Sequence, residues 1–266
     1  MSFDIGAIGR RGDEHRYDVT DGALRAYADA TDDVPGGPVF AIVPVWNAIA
    51  PASRSVASEE ARKHVVHYEH DMVLHHPIEA ATTLISHATP VALLPRPNGT
   101  SLVMKAETRT NDGELVNEQY VTEFFRGVEA GATVGERAPD HRLAVDGPPA
   151  AEIAYTITED QTERYATASG DHFAIHLDDA FARAVGLSGR IVHGLCTLAH
   201  AGRAVLEAAD VRDPRSVRRL AVRLSAPLFP GETLTTRVWR GDYSYGFDAV
   251  GSDGRQVLKD GLAEIT

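Results

Sequence analysis

Asp171 and His176 stand five residues apart in the run Tyr165-Ala-Thr-Ala-Ser-Gly-Asp-His-Phe-Ala-Ile-His176. A carboxylate and an imidazole on either side of a turn can hold and polarise one water. Histidine titrates near neutral pH, so its ring can take that water's proton and later return it. Just downstream, Ile191-Val-His-Gly194 opens a helix rich in small residues. Amides at a helix start lack intrahelical acceptors and attract negative charge, and glycine leaves room for close approach. A thioester carbonyl seated there would have its developing enolate charge stabilised. An activated water, a proton donor and an oxyanion site suffice for reversible hydration of an alkene conjugated to a thioester. That chemistry calls for no redox cofactor and no metal.

Other reactive side chains in the region have plainer readings. His193 reads as a buried, hydrogen-bonded or helix-capping histidine. Tyr165 reads as a packed core residue with a bonded hydroxyl. Asp178 and Asp179 suit the cap of a short helix better than a metal. Cys196, the only cysteine, lies one turn into a helix and reads as an inert buried thiol. His172 and His176 have a zinc-like i, i+4 spacing, but Gly170 argues against regular helix there. His64, His67, His70, His75 and His76 crowd a strand-like run whose spacing does not converge on one face. No metal is expected.

The elements that must position these groups show an internal repeat. Tyr27-Ala-Asp-Ala-Thr-Asp-Asp33 echoes Tyr165-Ala-Thr-Ala-Ser-Gly-Asp171 at an offset of 138 (165 − 27 and 171 − 33). Asn111-Asp-Gly113 and Ser252-Asp-Gly254 both read as hairpin turns, and Pro77–Leu84 echoes Pro227–Leu234. The stretch from Ala130 to Ala151, rich in Gly, Pro and charge, reads as the linker. In the second half, Ile153–Ile157 alternates as a strand and Thr158 reads as the cap of a helix over 161–168. A short helix follows over Asp178–Val185, then a long one from Gly194 to Ala209. Strands are expected over 219–228, 232–241, 246–250 and 256–265. In the first half, Pro35, Pro38, Pro44 and Pro51 predict a shortened or irregular helix that leaves a groove against the sheet. One long helix against a mostly antiparallel sheet, twice over, is an α+β arrangement.

The segment from Tyr165 to Gly194 resembles the hydratase 2 motif of the MaoC-like dehydratases, the (R)-specific enoyl-CoA hydratases. That motif runs Tyr, then Ser-Gly-Asp-x-Asn-Pro-x-His-x-Asp, a glycine turn, then Ile-x-His-Gly. Tyr165, Ser169, Gly170, Asp171, His176, Asp178, Gly186, Ile191, His193 and Gly194 match it. The resemblance implies Asp171 and His176 as the catalytic pair. It puts Gly194, with His193 and Ser169, on the oxyanion and substrate side. It also implies a double hotdog: a degenerate N-terminal unit over 1–135 and a C-terminal unit carrying the motif over 150–266. Pro38 takes the place of His176 in the first copy (176 − 138), which suits that copy to holding an acyl chain rather than to chemistry. Two positions depart from the motif: Phe173 stands for its asparagine and Ala174 for its proline. Phenylalanine can pack there but cannot make the asparagine's hydrogen bonds.

The implied reaction is reversible hydration of trans-2-enoyl-CoA to (R)-3-hydroxyacyl-CoA, with the acyl-CoA or acyl-ACP thioester as substrate and no other cofactor. The same fold admits a 3-hydroxyacyl-ACP dehydratase, an acyl-CoA thioesterase or a non-catalytic acyl-CoA-binding subunit. Family resemblance also implies a homodimer. The formal net charge of −12 argues against a nucleic-acid surface and sits awkwardly with an anionic coenzyme. Arg218, Arg219 and Arg223, with Arg212 and Arg215, are the candidate contacts for coenzyme A phosphates; the alternative is a solvated arginine-rich loop and strand edge. No run of ~18 apolar residues is evident, so no membrane span is expected. The N-terminus does not read as a secretory signal, and a single cysteine suits a reducing compartment such as the cytoplasm.

Overall fold

The computed structural model describes residues 2–266. Its elements run β1 (His15–Asp18), α1 (Asp21–Ala30), α2 (Ile42–Val56), α3 (Glu59–Arg62), β2 (Val65–Leu74), β3 (Thr83–Arg96), β4 (Gly99–Thr110), β5 (Leu115–Arg126), β6 (Val134–Gly135) and β7 (Ala151–Thr156). They continue with α4 (Gln161–Ser169), α5 (Asp179–Ala184), α6 (Gly194–Ala208), β8 (Val217–Leu224), β9 (Thr233–Arg240), β10 (Ser244–Val250) and β11 (Gln256–Ile265). Contacts divide the chain into two units. The first comprises the segment ending at Val19 with Pro44–Asp140; the second comprises Thr20–Val43 with His141–Thr266. The boundary at 140/141 falls inside the expected linker. The segment 20–43, expected in the N-terminal unit, groups with the C-terminal one.

In the first unit the antiparallel strand order is β1-β3-β4-β5-β2, with β6 added along β3. In the second it is β7-β9-β10-β11-β8. The two orders are the same sequence of elements, so the repeat seen in the residues is a repeat of topology. Gly113 and Gly254 take φ of +90° and +81° at the two expected hairpin turns, where a side chain would be strained. On β9, Leu234, Thr236 and Val238 are buried while their neighbours are not, the period of a half-covered strand. The strand expected over 219–228 begins and ends earlier, at Val217 and Leu224.

The long helix of the second unit, α6, buries eleven of its fifteen residues, among them Leu195, Leu198, Val205 and Leu206. It packs against β7, β8, β9, β10 and β11. A Cβ on Gly202 would come within 3.2 Å of the Leu220 side chain on β8, which is why small residues recur along this helix.

The helix expected to be short in the first half is not short. α2 has fifteen residues, as many as α6, and a 3-10 turn over Pro38–Ala41 leads into it. Pro44 lies in its first turn, where a missing N–H costs nothing. Pro51 lies inside the helix and removes a bond, at about 3 kcal/mol. Burial of Val45, Ile49 and Val56, at about 1.5–3 kcal/mol each, outweighs that cost. The run Pro38–Val56 is also long and apolar enough, by length and composition, to cross a membrane, contrary to expectation. Of its most apolar window 61% is buried inside the protein, which is how a core helix behaves.

Candidate active site

Everything the motif singles out lies in the second unit, from Tyr165 on α4 to Gly194 at the start of α6. Gly170 ends α4 at φ +81°, donating its N–H to Ala166 O, and so turns the chain sharply at Asp171. Ser169 Oγ accepts from the Asp171 amide at 3.2 Å, and Asp171 Oδ1 accepts from the Phe173 amide at 3.2 Å. A 3-10 turn over Ala174–His176 follows, closed by His176 N–H to Phe173 O at 3.0 Å. The loop therefore holds its shape through Ser169, Asp171 and the backbone, without the motif's asparagine. Phe173 instead turns its ring outward, 52% exposed, edge-on to Phe181 at 6.2 Å.

His176 is buried. Its Nδ1 lies 2.8 Å from the Ile191 carbonyl, which can only accept, so Nδ1 carries the proton and Nε2 presents a bare lone pair. Burial holds this ring below the ordinary histidine pKa, and the Asp171 carboxylate pulls the other way. The result is a neutral base beside a carboxylate.

His193 occupies the N-cap position of α6, but its side chain caps nothing. It is buried, and its Nε2 donates to the Asp171 carbonyl at 3.0 Å. Its ring stacks on that of His176, with centroids 3.8 Å apart and planes 23° from parallel. Burial and the adjacent His176 lower its pKa to about 3, and its Nδ1 has no partner among the described residues. Asp171, His176 and His193 bring one ligand-type atom each within 4.8 Å of one another. Yet imidazole binds a metal in the plane of its ring, and these two planes run side by side rather than meeting at bonding distance. The arrangement suits a hydrogen-bonded water better than a shared ion.

Gly194 begins α6, so its amide is among the first-turn N–H groups that the helix leaves without an acceptor. Its lack of a side chain has a packing reason too, because a Cβ there would meet Leu224 Cδ1 at 2.6 Å. Asp178 caps α5 as expected, accepting from the Ala180 and Phe181 amides at 2.8 and 3.0 Å. Thr158 does not cap α4: the N-cap is Asp160, and Thr158 donates to its carboxylate at 2.5 Å. Cys196 is buried and burial raises its thiol pKa. The expected arginine patch is largely matched by acids: Arg219 lies 3.5 Å from Glu264, Arg223 3.9 Å from Asp260, and Arg215 pairs with Asp213. Arg218 bonds the Arg215 carbonyl.

Tyr165 is buried as expected, and its hydroxyl meets that of Tyr27 at 3.1 Å. The two are counterparts at the repeat offset of 138. Tyr27 also donates to the Val39 carbonyl at 3.2 Å, so Tyr165 is the donor between them. Tyr165 packs on His193 at 4.8 Å, so α1 reaches the loop around Asp171 and His176 through ring contacts. Sequence reasoning missed Tyr27 as part of this unit, although the shared offset was the signal for it. A small pocket lies beside Tyr27, lined by Leu24, Val39, Phe40, Asp33 and Ala199. Burial raises the pKa of the Asp33 carboxyl there.

Two family descriptions match the chain in tandem: the MFE-2 hydratase 2 N-terminal domain over residues 23–127 and the MaoC like domain over residues 141–258. The 3-hydroxyacyl-thioester dehydratase Y of Mycobacterium tuberculosis is 36% identical over 214 residues, 75% of this chain and 72% of that protein. The peroxisomal multifunctional enzyme type 2 of Drosophila melanogaster is 28% identical over 207 residues, and the match spans 76% of this chain and about a third (34%) of that much longer protein. Among solved structures, a MaoC-like dehydratase from Phytophthora capsici superposes with a TM-score of 0.85 at 20% identity, covering 99% of each chain. A Mycobacterium tuberculosis protein described as a double hotdog superposes at 0.61 with 16% identity, covering 96% of this chain and 95% of that one.

Proposed function

This chain belongs to the MaoC-like dehydratase family, and on that footing we propose that it reversibly hydrates a trans-2-enoyl-CoA to the (R)-3-hydroxyacyl-CoA. The observation that carries the reading is the neutral His176, its Nε2 bare, beside the Asp171 carboxylate and in the same loop-to-helix segment as the start of α6. Asp171 and His176 Nε2 hold one water over the β carbon. As the C–O bond forms, His176 accepts the water's proton and the π electrons move onto the thioester oxygen. The Gly194 amide receives that charge. The proton then passes from the imidazolium to the α carbon, leaving the enzyme as it began. Dehydration is the same path reversed.

Incubation with crotonyl-CoA, followed by loss of the conjugated thioester absorbance and by thiol release, tests the reading. Hydration removes the absorbance without freeing thiol; thiol release means hydrolysis. Asp171→Asn and His176→Gln each lower the rate by about 10²–10⁴-fold if these groups move the proton. Unchanged rates in both overturn the assignment.

A further inference from the structure

His193 has no place in that mechanism, yet it touches both groups that do. It donates through Nε2 to the backbone carbonyl of Asp171, and it lies flat against the ring of His176. Those two contacts control different things. Asp171 sits in irregular chain, where its carboxylate's aim depends on how its peptide is held. His176 is pinned at one ring edge by the Ile191 carbonyl, which leaves the tilt of the ring about that bond to whatever packs on its face. Tyr165 packs on His193 in turn, at 4.8 Å, so His193 has little room to swing.

The geometry points to His193 as a positioning residue that fixes the plane of the base and the backbone of the carboxylate together, acting as a neutral ring protonated on Nε2. The inference rests on the hydration reading for its kinetic consequence, but the positioning itself does not. The neutral state matters. When His176 takes a proton, a charged ring 3.8 Å away would repel it, whereas a neutral π face attracts an imidazolium. The titratable groups around the pair are Asp171, His172 and Tyr165, and His176 itself opposes protonation of His193. This is how a buried ring with one unmatched nitrogen is useful at a site otherwise well bonded.

Three substitutions separate the two contacts. His193→Phe keeps a stacked ring and loses the donor. His193→Gln keeps a donor and loses the ring. His193→Ala loses both. With crotonyl-CoA and the full chain, the alanine variant should lose on the order of 100-fold in kcat with KM unchanged, the scale of a misplaced catalytic group. The phenylalanine and glutamine variants should each recover part of that loss. The acid limb of kcat/KM should move to higher pH in the alanine and glutamine variants, where water reaches His176, and stay in place in the phenylalanine variant. A role in folding alone lowers the melting temperature but leaves kcat per folded molecule and the acid limb unmoved. That outcome, in a variant whose circular dichroism is native, overturns the proposal. If the wild-type chain fails to hydrate crotonyl-CoA, the functional reading fails on its own. NMR titration of the His176 imidazole still decides the positioning, with a higher pKa expected in His193→Gln than in wild type or His193→Phe. Equal values in all three overturn it.

Discussion

Replacing His200 by leucine should stabilise the second unit more at pH 5 than at pH 7. His200 lies on α6, is 1% exposed, and neither ring nitrogen has a partner among the described residues. Burial lowers its pKa to about 4, with Arg203 and Arg164 adding to the effect and Asp32 opposing it. An unfolded chain binds a proton at this position below pH ~6.5, while the folded protein resists until about pH 4. The wild type therefore loses stability as pH falls from 6.5 towards 4, at up to about 1.4 kcal/mol per pH unit. Between pH 7 and pH 5 the loss integrates to about 2 kcal/mol, a large share of a typical 5–15 kcal/mol. Leucine has no proton to bind, so the variant escapes that loss. It also removes two unmatched polar atoms at about 1–3 kcal/mol each, offset in part by imperfect packing of a branched side chain. The chain has two tryptophans, Trp46 and Trp239. In a Trp46→Phe background, Trp239 on β9 reports unfolding of the second unit, and urea titrations at the two pH values give the comparison. A leucine variant whose advantage is the same at pH 7 and pH 5 refutes the reasoning, because His200 would then not be held neutral.

The acid limb of kcat/KM for hydration should fall below pH 6.5, since burial lowers the pKa of the base; a stopped-flow pH profile placing it above 6.5 contradicts the assignment of His176. Tyr27→Phe should cost more stability than Tyr165→Phe, about 2–4 against about 1 kcal/mol in urea unfolding. Losing the Tyr27 hydroxyl strands both the Val39 carbonyl and the Tyr165 O–H, whereas losing Tyr165's strands neither. Gly194→Ala should destabilise by about 1–3 kcal/mol through its contact with Leu224, and adding Leu224→Val should restore the melting temperature. If hydration stays slow in the double variant, the methyl also obstructs substrate. Phe173→Asn should leave the melting temperature unchanged, because the bonds that shape the loop do not pass through the ring; a large fall would show that the ring packs.

The duplicated fold was legible because its signals are local. Asp-Gly turns need positive φ, strand faces alternate, and a long helix carries an apolar stripe, so each left a mark that survives without coordinates. The loop around Asp171 was legible through Ser169-Gly170, whose conformation ends α4. The length of α2 was misjudged because proline is a local penalty and the burial that overrides it is made at long range. The same holds for the apolar run containing α2, whose prolines hid its length. Thr158 was misjudged as a cap because helices shift by a residue or two for reasons no single side chain states. The stacking of His193 on His176 left no sequence mark at all. The two are seventeen residues apart, and only the return of the chain at Ile191 brings them face to face.

The paired tyrosines carry one more consequence. A bond between a residue and its own copy is what a two-fold axis creates when identical subunits associate. In such a dimer nothing tells one hydroxyl from the other, and the direction of donation is degenerate. Here Val39 offers its carbonyl to Tyr27 and thereby orients the pair one way. The asymmetry of the surroundings lifts the degeneracy, so the two copies of the tyrosine are no longer interchangeable.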